Sequence, residues 1–435
     1  MKHIKILLVV VLVLLLVFSS SPLEGLAISQ NEDETAPTSG SEIQALWYAG
    51  HLGTPGDAQE VAVLGDYAYI CDGSLRIVDV SDPTTPVEVG FYAPPYGEGG
   101  CMSMAVAGNY VYTGGWPVLN IVDVTNPAAP VRVGQASGLD MPHGMAVVGE
   151  YAYVADTHDT GSGYLYRLLI FNVSNVTHPS LTGVYNFTTT PADVAVAGNY
   201  AYVANVDAGL RVIDVSNPSA PVEAGVYTSS RADGVTVAGS YAYVAEAGWG
   251  LRIIDIYNPT APFQVGLYNP EGYYIENSAV AWGYAYLAAG EKGVVMLDVS
   301  NPGTAVMAGL YNTDGSTHDV ATAGDGYVYA ADGNNGLIIL RSSFSISGIV
   351  TEAGGDPVGG VTIKATGGYT TTTNASGVYA FTDLESGTYT LNASKEDYSF
   401  VPESLTLTVP PSAIGNFMAE LLVTKVFLPV IVLNH

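Results

Sequence analysis

The sequence predicts an all-β chain, with a seven-bladed β-propeller followed by a small β-sandwich domain. A cassette built from Tyr-Ala-Tyr-Val-Ala, Leu-Arg-Ile-Ile-Asp and Gly-x-Tyr recurs along most of the chain. Its anchoring tyrosines stand 41–49 residues apart, at Tyr67, Tyr110, Tyr151, Tyr200, Tyr241, Tyr284 and Tyr327. A repeat of about 40–45 residues that holds several short β-runs is typical of a propeller blade.

The composition agrees with this fold class and limits the partners. Fifty glycines and 30 tyrosines among 435 residues favour strands joined by tight turns. The 41 acidic residues outnumber the 13 basic ones and give a formal charge of −28. Nucleic-acid binding depends on Lys and Arg side chains that neutralise phosphates, so no nucleic-acid partner is expected. The same charge opposes adsorption to anionic lipid surfaces.

The N-terminal segment has the pattern of a secretory signal. Lys2 and Lys5 precede thirteen apolar residues at 6–18, and small residues follow at Gly25 and Ala27. This order of charged, apolar and small residues predicts a signal peptide at 1–27 and a linker at 28–42. Thirteen apolar residues are fewer than the roughly 20 that span a bilayer, so we expect no stable transmembrane span after cleavage. An uncleaved anchor is the alternative, and the expected location is secreted or at the cell surface.

Each repeat divides into four strands, which the fifth repeat illustrates. The first strand, at 235–238, ends at a Gly turn, and the Tyr-x-Tyr strand follows at 241–245. The third strand occupies 251–256, and the fourth follows an Asn-Pro turn and ends at Gly-Leu-Tyr, 266–268. Runs of five or six such residues bounded by Gly, Pro and Asn indicate strands rather than helices.

The seventh repeat lacks its fourth strand, since the pattern stops after 337–340. A spare strand-like segment, 45–51, precedes the first repeat. We expect this segment to complete blade seven, because a closed ring leaves no unpaired blade edge. The propeller domain is therefore predicted to occupy residues 43–342.

The third strands carry a resemblance to a known family. The segments 75–79, 119–123 and 251–255 resemble LVIVD repeats, which occur in secreted propeller proteins of prokaryotes. The resemblance covers about residues 43–341 and departs from the pattern where Asn172 and Arg341 replace the usual Asp. It implies a seven-bladed fold and an extracellular setting, and it supplies no catalytic residues. The recurring Asp itself is expected to bind turn amides: Asp79, Asp123, Asp214, Asp255 and Asp298.

The pattern changes after Ser343, and alternating strands predict a β-sandwich at 344–420. Thr-Asn-Ala-Ser-Gly-x-Tyr-x-Phe at 373–381 and Leu-x-x-Gly-Thr-Tyr-x-Leu at 384–391 resemble carboxypeptidase regulatory-like domains of the transthyretin or Cna-B type. The resemblance implies a spacer or adhesion accessory. Some relatives carry a Lys–Asn isopeptide, for which Lys364 and Asn416 would be the residues to test. The apolar tail, 421–435, is too short to span a membrane and suits an edge strand or an attachment signal.

The two cysteines are predicted to form a disulfide. Cys71 and Cys101 are the only cysteines of the chain, and secreted proteins often pair such residues. In the predicted propeller they lie on one face of neighbouring blades. Two small buried apolar side chains are the alternative.

The candidate binding site lies on the top face, where the loops differ from blade to blade while the bottom turns repeat. Variable loops on a rigid scaffold are where binding usually occurs. The residues expected there are polar or aromatic: His143, Asp193, Asp233, Glu276, His318, Asp319, Trp116 and Trp249. Blade three adds a longer top loop, 156–163, beside the channel mouth. Glu60, Asp193 and Asp233 are candidate ligands for Ca²⁺ or another divalent cation.

The function expected from these observations is binding. The sequence has no Gly-x-Ser-x-Gly, no His-Glu-x-x-His and no phosphate-cradling loop. We therefore expect a non-catalytic protein that binds an extracellular protein, a carbohydrate or a small polar ligand. The alternative is a metal-dependent, lactonase-like propeller hydrolase with its site at the channel mouth.

Overall fold

The computed structural model describes residues 46–409 and 412–422. The predicted signal peptide (1–27), the linker (28–42) and all but the first two residues of the apolar tail lie outside these ranges. Within the described ranges, no helix has the length and apolar character that crossing a membrane requires. The only helical elements there are two short 3₁₀ turns, Pro302–Thr304 and Thr366–Gly368.

Seven antiparallel four-stranded sheets form the propeller in this part of the chain, and the predicted fold class is confirmed. The first strand within the described residues is β1 (Leu46–Leu52). Blade one consists of β2 (Glu60–Leu64), β3 (Tyr67–Cys71), β4 (Leu75–Asp79) and β5 (Val87–Tyr92), and blade two of β6 (Ser103–Ala107), β7 (Tyr110–Gly115), β8 (Val118–Asp123) and β9 (Val131–Ser137). Blade three consists of β10 (Met141–Val148), β11 (Tyr151–Asp159), β12 (Tyr164–Asn172) and β13 (Ser180–Phe187), and blade four of β14 (Pro191–Ala197), β15 (Tyr200–Asn205), β16 (Gly209–Asp214) and β17 (Val222–Tyr227). Blades five and six consist of β18 (Gly234–Ala238), β19 (Tyr241–Glu246), β20 (Gly250–Asp255) and β21 (Phe263–Tyr268); and β22 (Asn277–Ala281), β23 (Tyr284–Ala288), β24 (Val294–Asp298) and β25 (Val306–Tyr311).

Blade seven closes the ring with strands from both ends of the propeller. It consists of β26 (Asp319–Ala321), β27 (Tyr327–Ala331), β28 (Leu337–Ser342) and, as its outer strand, β1. The two outer strands pair antiparallel, from Leu46 opposite Ser342 to Leu52 opposite Leu337. The predicted closure by the N-terminal strand is confirmed, and the edge of β28 is thereby paired.

A glycine in the fourth strand of most blades fits against a proline turn of the next blade. A Cβ at Gly225 would overlap the carbonyl oxygen of Pro259 and lie 3.1 Å from the Pro262 ring. A Cβ would overlap the corresponding turn carbonyl at Gly90, Gly183 and Gly266, and at Gly50 across the closing seam; at Gly134 the carbonyl is that of Val176. The Gly-x-Tyr and Asn-Pro-x-x-Pro parts of the repeat are therefore the two halves of one contact between neighbouring blades.

The acid that ends each third strand holds the turn that follows it. The Asp79 carboxylate accepts a hydrogen bond from the Ser81 amide at 2.9 Å, and Asp123 accepts one from Thr125 at 2.8 Å. Asp214, Asp255 and Asp298 bind the amide two residues on in the same way. The predicted structural role of this series is confirmed. Asn172, where the repeat departs from Asp, makes the equivalent bond to Ser174.

The two cysteines form a disulfide that joins blades one and two. Cys71 ends β3 and Cys101 precedes β6, and their Cα atoms are 5.3 Å apart. Both side chains are buried. The Cys101 amide also donates a hydrogen bond to the Gly73 carbonyl at 3.2 Å. The disulfide thus lies on the same face as the ends of the second strands.

The C-terminal domain is a sandwich of two sheets. Its strands are β29 (Phe344–Glu352), β30 (Thr362–Ala365), β31 (Thr370–Thr372), β32 (Val378–Leu384), β33 (Gly387–Ser394), β34 (Tyr398–Val401), β35 (Leu405–Val409), β36 (Ala413–Ile414) and β37 (Phe417–Leu421). One sheet has the order β32-β29-β37-β34 with β36 beside β29, and the other has the order β31-β30-β33-β35. Lys364 is exposed on β30, in one sheet of the sandwich. Asn416 lies between β36 and β37, at the other sheet, where its side chain accepts a hydrogen bond from the Ile349 amide.

The sandwich shares one apolar core with blades six and seven. The Phe344 ring packs against Trp282 and Tyr284, with ring centroids 6.3 and 6.0 Å apart. The Ser386 hydroxyl donates a hydrogen bond to the Asp325 carbonyl at 2.7 Å. Trp282 and Asp325 lie in turns between first and second strands. The domain therefore contacts the bottom of the propeller, at the end opposite the starts of the first strands.

Gly225→Ala tests the contact between blades. The new methyl group would overlap the Pro259 carbonyl, so we expect the free energy of unfolding to fall by about 1–3 kcal/mol. Gly163→Ala is the control, because no atom lies within 4 Å of a Cβ built there. Chemical denaturation of both variants gives the comparison. Equal stability of the two variants would show that the contact is loose.

Phe344→Ala tests the core shared between propeller and sandwich. Phe344 is 2% exposed, and removing a buried Phe side chain costs about 3–5 kcal/mol. Phe263→Ala, at a site that is 56% exposed, should change the free energy of unfolding by less than about 0.5 kcal/mol. Denaturation curves that leave the propeller transition unchanged in Phe344→Ala would contradict the shared core.

Candidate functional site

The starts of the first strands converge on a cavity of about 490 Å³ around the propeller axis. Seven of the residues predicted from the sequence line it: Glu60, His143, Asp193, Asp233, Glu276, His318 and Asp319. Trp116 and Trp249 do not line this axial cavity. Both indoles lie in turns between second and third strands, in blades two and five, and both are exposed.

The residues of the axial cavity form two layers. Counted back from the turn after each first strand, the fifth position forms an inner ring: Glu60, Ser103, Gly144, Asp193, Gly234, Asn277 and Asp319. The position before it forms an outer ring, which includes His143, Asp233, Glu276 and His318. A deeper cavity of about 220 Å³ is lined by Glu60, Asp193, Asn277 and Asp319 but by none of those four outer residues. The inner ring therefore faces the channel itself.

The inner carboxylates are held by backbone amides of the next blade. Asp193 accepts a hydrogen bond from the Val235 amide at 2.9 Å, and Asp319 accepts one from the Val61 amide at 3.0 Å. The Asn277 side chain donates to Asp319 Oδ1 at 2.8 Å. A Cβ at Gly144 would lie 2.6 Å from Asp193 Cα, so the glycine leaves the space that Asp193 fills.

Burial raises the pKa values of the inner carboxyl groups, and repulsion between carboxylates adds to this for Glu60 and Asp319. Burial raises the pKa of Asp193 to about 6 and that of Asp319 to about 7. Burial also raises the pKa of Glu60 well above its usual range, and the Asp319 and Asp193 charges raise it further. Glu60 Oε2 is buried and has no hydrogen-bond partner among the described residues. The inner ring thus combines an unused acceptor with carboxyl groups that titrate near neutrality.

The outer ring is organised by ion pairs. The Arg231 guanidinium donates to both Asp233 oxygens, at 2.9 and 2.8 Å, and to the Tyr274 hydroxyl at 2.9 Å. His318 Nδ1 lies 2.8 Å from Glu276 Oε2, and this hydrogen bond raises the pKa of His318. His143 Nε2 lies 3.1 Å from the Thr157 hydroxyl. These pairs leave the outer ring less negative than its carboxylates alone would make it.

The suggested metal ligands do not occupy one layer. Glu60 and Asp193 belong to the inner ring, whereas Asp233 lies in the outer ring and is paired with Arg231. No group of three His, Cys, Asp or Glu side chains within residues 46–409 and 412–422 has an arrangement that could hold a metal ion. The geometry instead offers hydrogen-bond acceptors around a cavity that is large enough for a small molecule.

Sequence reasoning missed six residues that line the axial cavity: Gln59, Met102, Ala192, Arg231, Tyr274 and Asn277. Asn277 could have been found by aligning the first strands on their Gly turns, since it holds the position of Asp193 and Asp319. Arg231 and Tyr274 lie in connections between blades, where the repeat gives no register.

Half of the longer segment of blade three, residues 156–159, is strand rather than loop. β11 and β12 are each nine residues long and continue the hairpin as far as the Asp159–Tyr164 pair. Thr157 reaches His143 at the axial cavity, but His158 and Asp159 line a separate cavity beside Trp116. The expectation that the segment is a loop is therefore wrong for residues 156–159, and His158 and Asp159 lie away from the axial cavity.

Comparison with known families finds two matches. The LVIVD repeat matches residues 55–93, 98–137, 143–187, 191–229, 230–270, 276–313 and 314–343, and the carboxypeptidase regulatory-like domain matches residues 345–417. No curated protein matches the chain significantly.

Comparison with solved structures finds propellers of low sequence identity. The RRP9 WD40 repeats are 12% identical with a TM-score of 0.56, covering 68% of this chain and 97% of theirs. The Neurospora crassa Pan2 WD40 domain is 10% identical with a TM-score of 0.53, covering 69% and 96%. The designed protein Ika8 is 8% identical with a TM-score of 0.51, covering 68% and 99%. At such identities the likeness concerns the fold alone.

The raised pKa of Asp319 predicts a specific pH dependence. A carboxyl group whose pKa rises on folding stabilises the fold fully below its unfolded pKa near 3.8, and this stabilisation is lost as the pH rises through about 7. Asp319→Asn removes the titration. The stability of the parent relative to this variant should therefore fall by up to about 4 kcal/mol between pH 4 and pH 7.

Denaturation series at several pH values measure this difference. Asp79→Asn is the control, because hydrogen bonds from Ser81 lower the pKa of Asp79 and shift its contribution to lower pH. A parent-minus-variant difference for Asp319 that stays constant from pH 4 to pH 7 would show that Asp319 titrates normally.

Proposed function

The chain belongs to the LVIVD repeat family, and we propose that it is a secreted or cell-surface binding protein that holds a small organic cation in the axial cavity without chemical turnover. The observation that supports this most directly is the set of three acidic residues in the inner ring, Glu60, Asp193 and Asp319. Their carboxyl groups face one cavity, and their pKa values are raised. A bound cation would replace the protons and relieve the repulsion between the carboxylates.

The size of the cavity supports an organic cation over a bare metal ion. A volume of about 490 Å³ lies in the range of small-molecule sites, which is about 300–1,000 Å³. An ammonium group donates hydrogen bonds to carboxylates placed on different blades without needing the short, fixed geometry of metal coordination. Glu60 Oε2 supplies a buried acceptor for one such bond. Tyr274 and Met102 on the cavity wall offer apolar contact to the rest of the ligand.

Secretion is supported by two features. Residues 1–27 have the signal pattern, the chain carries a disulfide, and disulfides persist in oxidising compartments. The C-terminal match is to a carboxypeptidase regulatory-like domain, which suits an accessory or spacer role. The domain contacts the bottom of the propeller and leaves the axial cavity uncovered at the opposite end.

Glu60→Gln tests the proposal, because it replaces a carboxyl group that can become negative when a cation binds with a neutral amide of the same size. The probes are ethanolamine, choline and spermidine, titrated by calorimetry at pH 8 and pH 6. We expect at least one amine to bind the parent, and its binding to weaken at pH 6 as Asp193 and Asp319 take up protons. The variant should bind about tenfold more weakly, which corresponds to about 1.4 kcal/mol.

Glu88→Gln is the matched control, since Glu88 lies on the outer strand of blade one and pairs with Arg76. It should bind the amine like the parent. Absence of amine binding at pH 8 would refute the proposal. Stoichiometric Ca²⁺ or Zn²⁺ by elemental analysis, together with ester or lactone turnover that is lost in Glu60→Gln, would support the metal-dependent hydrolase instead.

A further inference from the structure

A second cavity lies between the top loops of blades two and three, away from the axial cavity. Its volume is about 600 Å³, and its walls include Trp116, Asp140, His158, Asp159 and Arg167. The extended hairpin β11–β12 forms one wall, and blade three is the only described blade whose second and third strands reach nine residues. The lateral cavity is therefore a product of the one blade that departs from the regular repeat.

An exposed indole forms another wall of the lateral cavity. Trp116 is 54% exposed, so much of its flat apolar surface contacts water. Its backbone is fixed on both sides, because the Gly99 amide donates to the Trp116 carbonyl and the Gly138 amide donates to the Pro117 carbonyl at 3.1 Å. The indole is thus presented on a backbone held by both flanking loops, which lowers the entropy lost when a ligand covers it.

The rest of the cavity offers hydrogen-bonding groups at fixed positions. Asp140 Oδ2 accepts a hydrogen bond from the Asp159 amide at 2.7 Å and lies 3.2 Å from His158 Nδ1. This pairing orients the His158 ring. The Arg167 guanidinium is held by the buried Asp156 carboxylate and by the Gly138 carbonyl. Asp140 Oδ1 and His158 Nε2 have no hydrogen-bond partner among the described residues.

We propose that the lateral cavity binds a neutral carbohydrate whose pyranose ring stacks on Trp116. A pyranose has an apolar C–H face that suits an indole and a rim of hydroxyl groups that suit carboxylates and imidazole. Asp140 and Asp159 accept from sugar hydroxyls. His158 and the Asp159 amide orient the Asp140 carboxylate, and the Gly161 amide orients that of Asp159. Arg167 is neutralised by Asp156, so the cavity is net negative and disfavours phosphates and uronic acids.

Trp249 provides a matched control inside the same chain. It lies in the corresponding turn of blade five, is also 54% exposed, and lines neither the axial nor the lateral cavity. Because the polar groups of neither cavity surround Trp249, replacing it with Ala should not change carbohydrate binding. Comparing Trp116→Ala with Trp249→Ala distinguishes specific binding in the lateral cavity from non-specific adsorption to an exposed indole.

The experiment is affinity electrophoresis of the full secreted chain in native gels. The gels contain β-glucan, galactomannan or xylan as neutral polysaccharides and polygalacturonate as the anionic one. We expect at least one neutral polysaccharide to retard the parent and Trp249→Ala equally. Trp116→Ala should show an affinity at least about tenfold lower, and Asp140→Asn should show a smaller loss.

Three results would overturn the proposal: no retardation by any neutral polysaccharide, equal loss in both tryptophan variants, or stronger retardation by polygalacturonate. Glu60→Gln is run in the same gels and should bind the polysaccharide like the parent, because Glu60 lies in the axial cavity. Failure of the amine titration would leave this result unaffected, so the two sites are tested independently.

Discussion

The close approach of each proline turn to the glycine of the preceding blade is the constraint on which the propeller depends. The glycine has no side chain because the next blade's carbonyl oxygen occupies that space, as at Gly90 beside Pro127. The contact fixes the distance and angle between neighbouring sheets. It also operates at the seam, where Gly50 meets Pro83, although these residues belong to the N-terminal strand and to blade one. Closure therefore uses the same contact as the rest of the ring.

The rigid frame permits an irregular centre. Because the outer contacts hold the blades, the inner-ring positions can differ: glycine at 144 and 234, serine at 103, asparagine at 277 and carboxyl groups at 60, 193 and 319. Gly144 makes room for Asp193, and the Asp193 carboxylate in turn binds the Val235 amide of the following blade. The burial of these carboxyl groups raises their pKa values. The same arrangement therefore links neighbouring blades and raises the pKa values of the inner carboxyl groups.

Much of the fold could be predicted from the sequence, because the period, the strand pattern and the missing fourth strand are local features. The membership of the axial cavity was also accessible, since first strands of a propeller converge. The division of the cavity residues into an inner and an outer ring was missed. Adjacent residues such as His318 and Asp319 lie at different depths, and only their position counted back from the Gly turn assigns each to its ring. The partners of Asp233 and the place of Trp116 depend on connections between blades, where no repeat constrains the chain.

The pairing of β1 with β28 also has a mechanical consequence. Leu46, where β1 begins, lies opposite Ser342, where β28 ends and the chain continues into the sandwich. A pulling force applied at these two adjacent points would peel the pair from one end, breaking its hydrogen bonds one after another instead of loading them together. A ring stretched between these two points is therefore expected to open at low tension. Attachment through the sandwich alone leaves this seam unloaded.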